Sequence, residues 1–360
     1  MKEPIILFGA SGFTGRLVAA ALCHRGLSFA ISGRSPDRLE ELATALPWRP
    51  SVVPASLDDP ESLHAAFRDR KMVLNCAGPF LLHGEPVVRA AIACGAHYLD
   101  TTGELPFMRR VVEEYSDSAR ESSVAVVPGV AYEIALADAA AAKLHADFGD
   151  ADEVEVLYHL RRIHTSPGTA LSALEVARHG GMGYRHGQWV PERPAKRLRR
   201  IPLPAPPGTV TGMSFPSGEL SSIPLHIPAP TVTTFLSLPS VLAMGAFTTA
   251  PLLKGLVHTM ADPAEVFLQK HHKPPTESQR KATSFFISVR LRRGRRHVQS
   301  IIRGHDMYAT TGWIMAYTAH RMLHGPKPPG GVLAPAQLLE PARFFQELRS
   351  QWVTEYERTL

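Results

Sequence analysis

Short apolar runs and longer amphipathic stretches alternate along the first 130 residues. The runs Ile5–Phe8, Phe29–Ser32, Ser51–Pro54, Met72–Asn75, His97–Leu99 and Val124–Val127 have strand length and little polar alternation, as strands buried on both faces do. Between them, Thr14–His24, Pro36–Leu46, Pro60–Arg68, Glu85–Cys94 and Leu105–Ser122 read as helices. Ser35-Pro36 and Asp59-Pro60 each supply an N-cap followed by proline at the first helical position, where its missing N–H costs nothing. The alternation predicts an α/β fold, a Rossmann-type doubly wound parallel sheet with right-handed crossovers.

After Tyr132 the rhythm changes. An alanine-rich helix is expected over Ile134–Phe148, and another opens near Thr169. Glu153–Ile163, Thr209–Phe215, Phe285–Leu291 and His297–Ile302 read as strands, with Arg292-Arg293-Gly294-Arg295 as the hairpin turn of the last pair. They predict an open antiparallel sheet, basic on one face. Dense prolines from Val190 to Pro230 suggest extended connections, and Tyr308–Leu323 and Pro335–Tyr356 read as helices. The expected division is 1–132, a first domain; 133–306, an α+β domain for substrate binding or oligomerisation, with a homodimer expected; and 307–360, C-terminal helices.

Composition narrows the classes. Of 360 residues, 44% are hydrophobic and 20% charged, as in an ordinary globular protein. A net charge of +6 favours anionic ligands, but no stretch interleaves basic and aromatic residues as a nucleic-acid platform does. Three cysteines without a CxxC spacing, and histidines without metal-site spacing, argue against structural zinc, disulfides and a metal centre. With a strand opening the chain, no leader is expected and the setting reads as cytoplasmic. Thr231–Leu253 carries no charge and is long enough to span a bilayer. Pro239 and Pro251 interrupt it, so a buried helix, a subunit interface or an apolar substrate lid fits better, with contact to a membrane surface left open.

The first run ends in GASGFTG. Gly9, Gly12 and Gly15 fall between a strand and a helix, where glycines allow a tight turn, close approach of the backbone to a pyrophosphate, and close packing of helix on sheet. The helix N-terminus adds free N–H groups and a positive dipole end. Ala10, Ser11, Phe13 and Thr14 complete the expected cradle. The second strand ends at Gly33 with Arg34, Ser35 and then Arg38, where an NAD site carries an acid. A guanidinium and a hydroxyl there suit a 2′-phosphate, so NADP(H) is expected. Cys76, Ala77, Gly78 and Pro79 after the fourth strand are small enough to pass close to the cofactor. At the end of the fifth strand Tyr98, Asp100 and Glu104 are candidates for the reactive end, with turn or cap roles as the alternative for the acids.

These residues also carry a resemblance. GASGFTGRLV, SGRSPDRL, NCAGPFLLHGEPVVRAAIACGAHYLDTTGE and the C-terminal YATTGWIMAYTAHRML…GPKPPGGVLAPAQLLEP resemble the saccharopine dehydrogenase-like oxidoreductases, closest to the bacterial trans-acting enoyl reductases. The resemblance implies an NADP-binding Rossmann domain, an inserted α+β domain, C-terminal helices over 307–360 returning to the Rossmann domain, and hydride transfer to a C=N or activated C=C bond. Two departures stand out. PGVAYEIALADAAAAKL replaces the family's PG-FDSIPSDL pattern, which brings in Tyr132 and Glu133, and Ser56 stands at the family's adenine-side acid.

A hydride acceptor needs its developing charge quenched. No tyrosine here has lysine at the fourth position after it, which excludes the short-chain dehydrogenase pair. Tyr132, Tyr98, Glu104 and Glu133 are the candidate proton donors, with His164 and Tyr308 further off. The basic cluster Arg193, Lys196, Arg197, Arg199 and Arg200 suits an acyl carrier protein or a CoA phosphate, or is simply a solvated face. The expected reaction is NADPH-dependent reduction of an enoyl thioester, lipid or polyketide-type acyl group. The alternatives are an imine reductase, for which Arg161, Arg162 and Arg303 would hold carboxylates, and a non-catalytic NADP-binding sensor or lipid-surface protein.

Overall fold

The computed structural model describes residues 2–238, 262–268, 270–349 and 353–359. In chain order the first elements are β1 (Ile5–Phe8), α1 (Phe13–His24), β2 (Phe29–Gly33), α2 (Pro36–Ala45), β3 (Val52–Pro54), α3 (Pro60–Phe67), β4 (Met72–Asn75), α4 (Phe80–Ala93), β5 (His97–Asp100), α5 (Leu105–Glu121), β6 (Ala125–Val127) and α6 (Tyr132–Phe148). Then come β7 (Glu153–Arg161), α7 (Pro167–Arg178), β8 (Met182–Arg185), β9 (Gln188–Pro191), β10 (Leu198–Pro202), β11 (Thr209–Ser214), α8 (Glu219–Ser222) and β12 (Val232–Leu238). The last are α9 (Glu277–Ala282), β13 (Ser284–Arg293), β14 (Arg296–His305), α10 (Met307–His324), β15 (Gly331–Val332), α11 (Pro341–Leu348) and β16 (Thr354–Thr359).

The chain divides into two compact units, Met1–Ala135 with Tyr308–Leu339, and Leu136–Met307 with Glu340–Leu360. The segment 307–360 therefore does not return as a whole to the first unit. Within it, Pro335–Tyr356 is not one helix: a short 3₁₀ turn, α11 and β16 occupy it.

In the first unit the strands run in the order β15-β6-β5-β4-β1-β2-β3, all parallel. Every residue of β1 and β4 is buried, which is why those segments are unbroken apolar runs. Burying a side chain such as Ile5, Ile6 or Leu7 stabilises the sheet by about 1.5–3 kcal/mol. The register aligns Phe8 with Asn75, and Asn75 with Asp100, so the loops after β1, β4 and β5 leave the sheet side by side.

The second unit holds a nine-stranded sheet among the described residues, ordered β10-β11-β12-β7-β13-β14-β16, with β8 on β12 and β9 on β8. It is mixed rather than purely antiparallel, because β12 runs parallel to β7. The proline-dense region 190–230 contributes strands and not only connections. Val232–Leu238 is a central strand of this sheet and not the start of a helix; residues 239–253 of the uncharged run lie outside the described residues. The sheet face expected to be basic is largely neutralised, since Arg290 and Arg292 stand opposite Glu155 and Glu153. No described helix is long and apolar enough to cross a membrane.

Candidate cofactor and active site

The glycine loop has the backbone the sequence requires. Gly9 adopts φ +74°, and a Cβ there would sit 2.8 Å from the Ala77 nitrogen. The β1 and β4 loops thus pack backbone to backbone. A Cβ on Gly12 would lie 3.2 Å from the Gly9 carbonyl oxygen, and one on Gly15 would overlap that oxygen and come within 2.8 Å of Ala10 Cα. These glycines therefore let the loop after β4 and helix α1 pack directly against the end of β1, as the close packing of a dinucleotide-binding turn requires. Gly12 caps α1 without any side-chain bond, leaving the helix N-terminus to an anion.

Around this loop several polar groups are unspent. Among the described residues the Ser11, Thr14 and Ser35 hydroxyls and the exposed Arg34 guanidinium have no hydrogen-bond or ion-pair partner. Arg38 Nη2 donates to the Ser11 carbonyl at 3.2 Å, and Arg16 Nε donates to the same oxygen at 3.3 Å. Arg16 was not among the expected residues. Its signal was a cation one turn into the helix that follows the glycines. Ser56 follows Ala55, whose N–H bonds the Gly33 carbonyl at 3.1 Å, so it lies beside the β2 loop; its hydroxyl accepts the Asp58 N–H at 3.3 Å. Phe13 packs edge-on against Tyr308 at 5.0 Å, which brings the first turn of α10 onto the glycine loop.

Deeper in, buried side chains fix the loops after β4, β5 and β6. Asn75 donates to the Tyr98 hydroxyl at 3.0 Å and accepts the Ala77 N–H at 2.9 Å, fixing the start of the Cys76–Pro79 segment. Asp100 Oδ1 accepts the N–H groups of Thr102 and Gly129, each at 2.9 Å. Burial pushes the Asp100 carboxyl up to about 7 despite those bonds. The Thr102 hydroxyl accepts the Glu104 N–H at 3.0 Å. Glu104 then accepts the Phe80 and Leu81 N–H groups at 2.9 and 2.8 Å, filling the N-terminus of α4. Burial, aided by Asp100, pushes the Cys76 thiol up to about 12, so it is no nucleophile.

The expected proton donors separate on this geometry. Tyr98 is fully buried in the core, its hydroxyl is engaged with Asn75, and burial raises it well above the usual phenol range. It braces the site from below. Glu104 holds α4, with a backbone N–H on each oxygen. Tyr132 is not at the end of a strand: it opens α6, and its N–H donates to Thr311 Oγ1 at 3.1 Å. Tyr132 and Glu133 are half-buried, and Glu133 Oε1 lies 3.0 Å from where a Cβ on Gly103 would be, beside the β5 loop. They alone of the four keep access to solvent. His164 is an exposed residue of the second unit, as is the basic cluster. There Lys196 and Arg197 each lie 3.6 Å from Glu192, and Arg199 pairs with Glu155, so part of that charge is neutralised within the fold.

Residues 5–127 match the family described as "Saccharopine dehydrogenase NADP binding domain". The chain is 34% identical over 171 residues to a "Lipid droplet localized protein" of Caenorhabditis elegans, covering 44% of this chain and 40% of that one. It is 34% identical over 128 residues to a "Trans-acting enoyl reductase" of Mycobacterium bovis, covering 34% and 31%. The matched region thus spans less than half of these curated relatives. An apo saccharopine dehydrogenase (L-Glu forming) of Saccharomyces cerevisiae superposes with a TM-score of 0.63 over 99% of this chain and 100% of that one, at 13% identity, a likeness of fold.

Proposed function

We propose, from the premise that residues 5–127 are an NADP-binding domain of the saccharopine dehydrogenase type, that this chain is an NADPH-dependent reductase of an activated C=C bond in an acyl substrate. The observation that carries the reading is the convergence of the glycine cradle and the pinned β4 and β5 loops at one end of the parallel sheet. Ligands of such sheets lie at that end. NADPH bound there supplies a hydride. Ser11, Thr14 and the α1 N-terminus would hold the pyrophosphate, and Arg34, Ser35 and Arg38 the 2′-phosphate. Asn75, Asp100 and Glu104 keep the adjoining loops rigid, so that little ordering is left to be done on binding. The Tyr132 hydroxyl is the group we assign to proton delivery, with Glu133 beside it. Support for a C=C acceptor comes from the enoyl reductase relative and from the absence of the Tyr-Lys pair used on carbonyls.

A second reading has its own support. Arg161 and Arg303 share one face of the second sheet, by the register of β7, β13 and β14, and neither has a carboxylate partner among the described residues. Such a pair suits a substrate bearing carboxylates, as in C=N reduction of the saccharopine kind. The test is NADPH oxidation followed by absorbance on matched enoyl-thioester and imine panels. Turnover of enoyl thioesters alone is the expected result. Turnover of carboxylate-bearing imines alone would replace this reading with the second. NADPH binding without turnover of either panel would favour a nucleotide sensor.

A further inference from the structure

Three of the large apolar side chains most exposed among the described residues lie in two adjoining segments of the second unit: Ile163 is 47% exposed, Val266 64% and Phe267 62%. His272 ties the segments together, with Nε2 2.8 Å from the Thr165 carbonyl oxygen and 3.1 Å from its hydroxyl. A helix in water turns its apolar side inward. In the helical stretch 262–268, resumed at 270–271, Ala264 and Leu268 are half-buried but two further apolar side chains are left outside. Asp262 and Glu265 pair with Arg178 on α7 at 2.8 and 3.0 Å, while Val266, Phe267, Lys270 and His271 all face solvent. The Phe267 ring stacks on His271 at 4.8 Å.

Near these apolar tips Asp262, Glu265 and Glu175 share Arg178, and the charges without an ion-pair partner among the described residues are cationic. Arg162, Lys270 and Lys273 are exposed and have no carboxylate partner among the described residues. The nearby acids are engaged elsewhere: Glu277 with Lys281 at 2.6 Å, Asp306 with Arg280 at 2.7 Å, and Glu175 with Arg178. Outward aromatic and aliphatic tips in a cationic surround are the make-up of an interfacial anchor, the tips entering the acyl boundary and the cations meeting anionic headgroups. We propose that residues 162–164 and the helical stretch from 262 form a docking surface for an anionic lipid layer. The inference stands independently of the redox reading.

The test is co-sedimentation of the whole chain with vesicles of phosphatidylcholine alone and of phosphatidylcholine mixed with phosphatidylserine. The wild-type chain is expected to pellet with the mixed vesicles and to be released by raised salt. A Val266→Glu/Phe267→Glu variant is expected to lose roughly tenfold or more in partitioning, with NADPH affinity unchanged as the sign of a folded chain. Lys270→Glu/Lys273→Glu should lose the preference for the mixed vesicles. Absence of wild-type binding to either vesicle, or equal pelleting of the apolar variant, would overturn the proposal. So would self-association in sedimentation velocity that the apolar variant abolishes without any vesicle binding, which would assign the patch to a second copy of the chain.

Discussion

In the proposed reading Arg34 would be the main determinant of the preference for the phosphorylated cofactor, with Ser35 and Arg38 beside it. It is exposed and has no partner among the described residues, so nothing else in the fold requires it. Removing a charge-assisted contact costs about 1.5–3 kcal/mol. Arg34→Ala should therefore weaken NADPH about ten- to a hundredfold in a fluorescence titration while leaving NADH nearly unchanged. Asp100 gives a prediction with a sign. Its folded pKa of about 7 lies above the ordinary 3.8, so the folded chain holds that proton more tightly than the unfolded chain. The contribution is complete below the ordinary value and is lost as pH rises towards 7, at about 1.4 kcal/mol per pH unit. Asp100→Asn keeps an oxygen for Thr102 and Gly129 but has no proton to lose. Its thermal midpoint should fall less than the wild type's between pH 5 and 7, values chosen from that window. These roles were only partly legible. Arg34 could be singled out because an absent acid is visible in the sequence, and the titration decides its role. Tyr98 was misread, because strand alternation does not say which face a buried tyrosine turns to, and its hydroxyl is used by Asn75 from the neighbouring strand.

The elements show where local signals suffice. Helix α1 was readable because glycines, strand and helix are contiguous. Its seat on β1 depends on Gly15, and Gly15→Ala would force a methyl against the Gly9 carbonyl. Overpacking of this kind costs about 1–3 kcal/mol, so both the melting midpoint and NADPH affinity should drop. Helix α4 starts at Phe80, five residues before the expected Glu85, because its cap is Glu104, a side chain 24 positions away that no local pattern announces. Glu104→Gln keeps an oxygen for one of the two N–H groups, whereas Glu104→Ala leaves both without a partner. We expect the alanine variant to melt lower than the glutamine variant. A glutamine variant of wild-type stability that had lost turnover would instead return Glu104 to the list of proton donors.

Over the whole chain, legibility follows contact distance. The first six strands of the parallel unit come from neighbouring strand–helix pairs and could be read from their alternation, whereas β15, at Gly331–Val332 on the sheet edge, could not. The second unit is assembled from strands far apart in sequence, with β7 between β12 and β13, so neither the parallel pair nor the short β8 and β9 had a local signature. Its buried polar groups were equally silent. Asp138 is fully buried and lies 2.8 Å from His226 Nε2; burial opposes the charged imidazole, but the carboxylate outweighs it and holds His226 above its ordinary range. Glu219, also fully buried, accepts the Tyr158 hydroxyl proton and is raised by burial.

The claim that unites these observations is that NADPH bound at the glycine cradle passes its hydride to an activated C=C bond. The most direct measurement uses NADPH deuterated at the nicotinamide C4, an enoyl thioester and mass analysis of the product. With both C4 hydrogens replaced by deuterium, the account predicts one deuterium on the β-carbon of the saturated thioester, and Tyr132→Phe should slow formation of that product without changing its label. Tight NADPH binding with no deuterium in any thioester product would contradict it.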